Sequence, residues 1–369
     1  RRQKREKEHV AAIAKDRRRA LSRAGDARVT LIALLTAAFE ILGLLLCTFR
    51  AEGAVDAQAM KICLLVAPLG LLTTLALPRL LPIDSLVMAL TNFLCGVGIV
   101  VLYTISPARG AKQAVFYAAG LAVMLIMSEL VFHMRHFRGL TMLGMVLGII
   151  ALVLPLAFGE WNNGAKNWVD IPFVGSFQPS EIVKLTLIIV ISRFMADRRL
   201  IPWLGFSVAC LGVLMLQADL GTALLYYGVT LMLYFASSGN PVLMLCGIGG
   251  GVGAALLGYQ KFAHVKKRVA IWLDPWSDYD NAGYQLIQSL MAIASGGVLG
   301  VGLGLGSPTT IPVYHTDFIF SVICEQFGML FGSCVLLMYV AIIWRGTSIA
   351  MAARTRFHGL LAMGCTAML

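Results

Sequence analysis

Residues 85–105 read SLVMALTNFLCGVGIVVLYTI, a run without one charged side chain. An α-helix rises 1.5 Å per residue, so this stretch spans about 30 Å, the thickness of a bilayer's hydrocarbon core. Working outward, similar apolar runs occupy 30–49, 60–82, 113–133, 139–157, 181–197, 201–217, 219–237, 241–259 and 318–344, and another begins near 357. The runs 181–197 and 201–217 are the shortest. Hydrophobic residues make up 59% of the 369 and charged residues only 13%, against about 25% charged in a soluble domain. A mean hydropathy of +0.81 agrees. The fold class expected is all-α, a polytopic transmembrane bundle of ten or eleven spans.

The net charge of +11 would suit a nucleic-acid binder, but its distribution does not. Eleven of the thirty Lys and Arg residues crowd into the first 28 positions, and the others are mostly scattered singly between apolar runs. A basic segment ahead of a first span reads as a cytoplasmic anchor at anionic lipid. It is too long and too charged for a secretory n-region, and no cleavage site follows the first span. Threading the spans alternately from a cytoplasmic N-terminus puts twenty Lys and Arg on inner segments and nine on outer ones, with Lys184 inside a span. The positive-inside rule is obeyed. The exception is 261–268, in the longest outer segment. The eight cysteines have no C-x-x-C spacing and read as small buried residues, without a disulfide framework or a zinc site.

Two outer segments, 158–180 and about 260–317, are longer than a connection requires. Ionisable groups inside spans need partners or water, which singles out Glu181, Lys184 and Asp219. Glu181 and Lys184 stand at i, i+3 and can pair; they either make a helix end tolerable or line a cavity. Asp219 either caps the helix beginning there or faces that cavity. Asp317, beside His315 and Thr316, sits where the long outer segment meets the span 318–344. A helix N-cap at Thr316 or Asp317 would account for it, and so would a general base at a cavity mouth. Glu325 lies about two turns further on a similar face. Glycines 296, 297, 300, 302, 304 and 306 lack a following G-K-[ST] and suggest close-packed or flexible backbone rather than a phosphate loop. YQLIQSLMAIA (284–294) reads as an amphipathic interfacial helix with Gln285 and Gln288 on its polar side. Lys266, Lys267 and Arg268 could hold a phosphate or simply meet water.

NWVDIPFVGSFQPSEIVK (167–184), QADLGTALL (217–225), RVAIWLDPWSDYDNAGYQLIQSLMAIASGGVLGVGLG (268–304) and IPVYHTDFIFSVICEQFG (311–328), in this order, resemble the SEDS family of shape, elongation, division and sporulation proteins. The resemblance covers 83–369; a basic tail (1–29) and two additional spans (30–82) precede it. It implies a bacterial plasma-membrane enzyme that polymerises lipid II into glycan strands at the extracellular face, beside a class B penicillin-binding protein. The family's essential carboxylate falls on Asp317, implied to be the base for the acceptor hydroxyl. Gln178, Ser180, Glu181, Lys184, Asp219, Gln285, His315, Thr316, Glu325 and Trp168 are implied to line the substrate site.

Ala218 replaces the family's usual proline, Gln326 a second glutamate, and Ser176 an arginine carried by some members. Lys166, Lys184 and Arg268 are left as cations for the pyrophosphate. No cofactor is implied with certainty, and no metal cage is apparent; a divalent ion (Mg or Mn) bridging Asp317 and pyrophosphate stays open. The family's last helix and a Pro/Ser/Gly-rich outer segment would lie beyond Leu369. Two other readings compete: a lipid II flippase, which needs polar residues along the full depth, and a non-catalytic scaffold for the transpeptidase.

Overall fold

The computed structural model describes residues 27–49, 56–134, 138–162, 164–171 and 175–369. Most of the basic tail, Arg50 and Arg135 lie outside these residues. The chain forms helices α1 (Ala27–Phe49), α2 (Ala57–Leu71), α3 (Ser85–Ile105), α4 (Pro107–Met134) and α5 (Arg138–Phe158). Strands β1 (Glu160–Asn162), β2 (Ala165–Ile171) and β3 (Gly175–Phe177) follow. Then come α6 (Ser180–Ala196), α7 (Leu200–Leu216), α8 (Leu220–Ser238), α9 (Pro241–Lys261), α10 (Ala263–Leu273), α11 (Tyr284–Gly296), α12 (Ile319–Met351) and α13 (Arg356–Ala367). Among the described residues, eight helices are long and apolar enough to cross a membrane. The polytopic helical class expected from the sequence is the fold observed.

Two compact units build the chain. The first comprises the described residues up to Met127 together with Pro275–Ile342. Asp56 caps α2, accepting from the Gln58 and Ala59 amides, and also accepts the Tyr103 hydroxyl from the end of α3. That hydroxyl is the main reason the Asp56 carboxyl lies below its ordinary pKa. Leu44, Ile62, Val66, Ile99 and Val100 pack α1, α2 and α3 together. Past α2 the helix widens over Leu72–Ala76 into a π turn, with Leu77 N–H bonded to Leu72 O. Pro78 explains the widening: it has no N–H for the Thr74 carbonyl, and its ring crowds it.

Helix α12 is the centre of this unit, and it departs from expectation. The run 318–344 reads as one span, yet the helix breaks at Gly328, whose φ is 84° and ψ 168°. The glycine-rich chain from 297 to 302 inserts at the break. Met329 and Leu330 amides donate to the Gly297 and Val298 carbonyls at 2.9 and 3.2 Å. Val301 and Gly302 amides in turn donate to the Glu325 and Gln326 carbonyls at 2.9 and 3.1 Å. Interior non-helical backbone survives where its freed groups are re-paired, and these bonds re-pair two amides and two carbonyls at the break. The strand of glycines is therefore close-packed: a Cβ at Gly300 would lie 2.3 Å from Gln326 O, and one at Gly328 would lie 2.2 Å from Val298 O. Phe39, Phe93, Phe327 and Phe331 close the packing around the broken region, the last two with centroids 4.7 Å apart.

The second unit comprises Ser128–Asp274 and Ile343–Leu369. Its core gathers Leu152 from α5, Val183, Leu187 and Ile191 from α6, Trp203, Phe206 and Leu214 from α7, Tyr226 and Leu233 from α8, and Leu360 from α13. The described residues of 158–180 form an antiparallel sheet of order β1-β2-β3 rather than a loop. Likewise, 260–317 carries two helices, α10 and α11. All eight cysteines are free. Cys63, Cys210 and Cys324 are buried as expected, but Cys246, Cys334 and Cys365 are exposed on helix faces.

The break at α12 fixes which glycines are replaceable. Gly300→Ala combines a φ of 83° with the carbonyl clash and is expected to cost about 3 kcal/mol or more, through strain and an orphaned amide. Gly98→Ala, where a Cβ meets nothing within 4 Å, is expected to be neutral or stabilising by about 0.5–1 kcal/mol. Thermal unfolding of the two variants in one detergent compares them.

Candidate active site

In the first unit, a buried anchor at Ile311 leads into a run of turns over 312–318 that feeds α12. Val313 has φ 57°, a left-handed conformation costly for a β-branched residue. Its carbonyl accepts from Thr316 N at 3.2 Å and more weakly from Thr316 Oγ1 at 3.4 Å. Tyr314 accepts from Arg109 Nη1 at 2.8 Å, and the guanidinium lies 5.3 Å from its ring centroid. His315 stands edge-on to Tyr314, with its Nδ1 buried and without a hydrogen-bond partner.

Asp317 is exposed. Helix α12 begins only at Ile319, with the Phe318 carbonyl accepting from Ser321 at 3.0 Å. Asp317 therefore lies outside the first turn and caps nothing, and neither does Thr316. No hydrogen bond or ion pair to another described residue engages the Asp317 carboxylate. Cap formation, the simplest structural account of this residue, does not describe it. Deeper in the same half-helix, Glu325 is buried; its Oε1 accepts the Ser307 amide at 2.9 Å, while Oε2 is buried without a partner. Gly306 leaves the room for this carboxylate, since a Cβ there would stand 2.5 Å from Glu325 Cδ. Gln326 Nε2 donates to Thr104 Oγ1 at 3.2 Å. On α11, Gln285 is exposed and Gln288 half-buried, and Ser289 meets Ser321 of α12 at 2.6 Å.

The second unit holds a polar cluster around Asp219. Helix α7 ends with Ala218 at φ 59°; the Asp219 amide reaches back to Leu214 O at 3.0 Å, so the chain reverses at once into α8. The Asp219 carboxylate then accepts four bonds: Asn167 Nδ2 at 2.7 Å, Gln178 Nε2 at 3.1 Å, Thr222 Oγ1 at 2.9 Å and Thr222 N at 3.2 Å. The capping reading holds, since Asp219 caps α8, and the same carboxylate gathers polar groups from β2 and from just before α6. Lys166 joins the same end of the unit, its amide on Gln217 O at 2.9 Å and its Nζ on Leu156 O at 2.8 Å.

The remaining residues singled out in the sequence are also placed. Glu181 and Lys184 form an ion pair at 2.6 Å. Ser180 is buried, its carbonyl accepting from Tyr226 at 2.7 Å and its Oγ unpartnered. Trp168 is exposed on β2, and Arg268 on α10. Asn167, Arg109 and Tyr314 went unassigned by sequence reasoning. Their only signal is position: Asn167 and Tyr314 stand inside motifs, each next to a residue that was singled out, Asn167 between Lys166 and Trp168 and Tyr314 before His315.

An α-helical polytopic chain with an exposed, unengaged carboxylate before a broken helix defines a class of membrane protein with a polar site at helix ends. A model of the FtsW/RodA/SpoVE family, described as cell cycle proteins, matches residues 84–369, and the chain belongs to this family. It is 31% identical over 334 residues to the peptidoglycan glycosyltransferase RodA of Mycobacterium tuberculosis H37Rv, covering 80% of this chain and 70% of that one. Stage V sporulation protein E of Bacillus subtilis is 29% identical over 315 residues, covering 78% and 84% of the two chains. A probable peptidoglycan glycosyltransferase FtsW of Halorhodospira halophila is 36% identical over 274 residues, covering 68% and 67%.

Among solved structures, a chain from a peptidoglycan synthase complex that coordinates polymerization and crosslinking superposes with TM-score 0.60 and 25% identity, covering 77% and 83%. RodA of Thermus thermophilus shares the fold with TM-score 0.51 and 23% identity, covering 77% and 81%.

Asp219→Ala removes the cap and strands the donors of Asn167 and Gln178, and is expected to destabilise by about 2–3 kcal/mol. Ala218→Gly relieves the left-handed strain and is expected to stabilise by up to about 1 kcal/mol. Thermal unfolding of both variants reads these opposite signs.

Proposed function

We propose that this protein is a peptidoglycan glycosyltransferase that polymerises lipid II into glycan strands, with Asp317 as the general base. Family membership and relatives named as glycosyltransferases support the reaction class. The observation that carries the base assignment is the state of Asp317: exposed, capping nothing, and engaged by no described residue.

The chemistry needs little more than this. A polyprenyl pyrophosphate is already a competent leaving group, so a strong general acid is unnecessary. Asp317 takes the proton from the acceptor sugar's hydroxyl as its oxygen attacks the anomeric carbon, and the bond to pyrophosphate breaks on the opposite face, with inversion. Positive charge must meet the departing pyrophosphate. Lys166, Lys184 and Arg268 are the residues assigned to that task. Two of them already hold a partner, Lys166 the Leu156 carbonyl at 2.8 Å and Lys184 the Glu181 carboxylate at 2.6 Å, while Arg268 is exposed. The reading includes an extracellular active site and a class B penicillin-binding protein as partner; the complex that supplies the solved relative supports the second.

Purified protein with its partner transpeptidase and lipid II should yield glycan strands on a gel. Asp317→Asn should lower the rate by about 10²- to 10⁴-fold, the usual contribution of a general base, with unchanged elution and partner binding. Strand synthesis at the normal rate by that variant would refute the base assignment. Lipid II movement across vesicles without any polymer would support the flippase reading instead.

A further inference from the structure

Helix α1 carries one carboxylate, Glu40, in the middle of its apolar run, and the proposed reaction does not use it. Glu40 is 1% exposed, and both of its oxygens are buried without a hydrogen-bond partner. The fold makes room for it: a Cβ at Gly96 would lie 2.3 Å from Glu40 Oε1, so only glycine fits opposite. Beside it, Gly70 leaves a second space. A methyl built there would stand 3.7 Å from Tyr117 Oη and 3.9 Å from Glu40 Oε2, its two nearest groups. A methyl-sized group fits there at van der Waals distance.

Tyr117 and the Gly70 carbonyl link that space to a hydrogen-bonded polar group. Asn92 Nδ2 donates to Gly70 O at 3.2 Å, Thr73 Oγ1 at 2.9 Å and Thr74 Oγ1 at 2.8 Å. Tyr117 donates to Asn92 Oδ1 at 3.0 Å. Thr73 and Thr74 belong to the π turn, the one widened turn of the bundle's described helices, and such turns frequently mark functional positions. The titratable neighbours of Glu40 are Cys63 on α2, Cys95 on α3 and Tyr117 on α4. No Lys or Arg among the described residues pairs with it.

An ionised carboxylate left bare in such a place costs several kcal/mol, so a positive charge must accompany it. A divalent ion would leave the dry site with an unbalanced charge of its own, whereas one monovalent charge closes the balance. We propose that Glu40, with the Tyr117 hydroxyl and the Asn92–Thr73–Thr74 group, forms a buried site for a single monovalent cation, held as a proton or as a sodium ion. Oxygen donors alone are the set such a hard ion takes. Glu40, Gly70, Thr73 and Thr74 all precede residue 84, where the family match begins. The site therefore gives the two N-terminal helices a chemical task of their own.

Thermal unfolding of the full chain in detergent tests this, in sodium chloride against choline chloride of equal ionic strength, from pH 5 to 8. A site filled by sodium makes Tm rise by a few degrees with sodium. A site filled by a proton makes the native state bind more protons than the unfolded chain, so Tm falls as pH rises. Glu40→Gln should abolish either response. Gly70→Ala, whose methyl fits at van der Waals distance, should abolish the sodium response and spare the proton one.

Labelling of the unaltered protein by dicyclohexylcarbodiimide, which attacks protonated carboxyls in apolar surroundings, gives a readout that needs no variant. Modification at Glu40 should be slowed by sodium in the first case and only by raised pH in the second. A Tm indifferent to both ions with no label on Glu40 would overturn the proposal, as would a Glu40→Gln variant that keeps the full response.

Discussion

Four main-chain hydrogen bonds between residues 297–302 and 325–330 hold the first unit in its form. Without them, a helix broken at Gly328 would leave amides and carbonyls bare inside an apolar bundle, at several kcal/mol each. The glycine-rich chain supplies the missing partners, and it can do so only because no Cβ stands between the two backbones. Everything distinctive about the unit's polar end follows from this graft. It sets Gly306 against Glu325, and it fixes the point from which the chain runs through 307–316 to the start of α12. The left-handed strain at Val313 is tolerated because both flanks are fixed, by Ile311 in the interior and by the half-helix beyond.

The second unit solves a different problem by similar means. A sheet and four helix ends meet there, and each brings backbone or side-chain groups that need partners. Asp219 answers four donors at once, and Gln217 and Lys166 tie the sheet to α5 and α7. The carboxylates of the two units are thereby in opposite states. Asp219 is engaged by four donors. Asp317 is unsaturated and available for a proton, which is why it carries the proposed mechanism.

Hydropathy made the helices legible, because each span must satisfy its own backbone in lipid and so needs a full run of apolar residues. The ends of those spans were less legible. The break at Gly328 leaves no trace in hydropathy, since 318–344 is apolar on both sides of it; the signal lay instead in the distant glycines at 297–302 that pair with it. Segment 158–180 reads as a loop because short strands in a polar stretch carry weak periodicity, and its middle strand is tied to α7 by the Lys166 amide on the Gln217 carbonyl. Asp219 and Asp317 look alike as sequence, each an acid at a helix start. Only the position of the first helical residue separates them, and one or two residues decide it. Glu40 could have been found from the chain alone, as the single charge in the run 30–49.

The account stands on Asp317 being an open carboxylate at the extracellular mouth of the first unit. The most direct measurement is the accessibility of Asp317→Cys, in a background with the eight native cysteines replaced, to a membrane-impermeant maleimide applied to intact cells. Rapid labelling from outside is the result predicted here. Labelling that requires opening the membrane, or that fails after denaturation-controlled recovery, would contradict it.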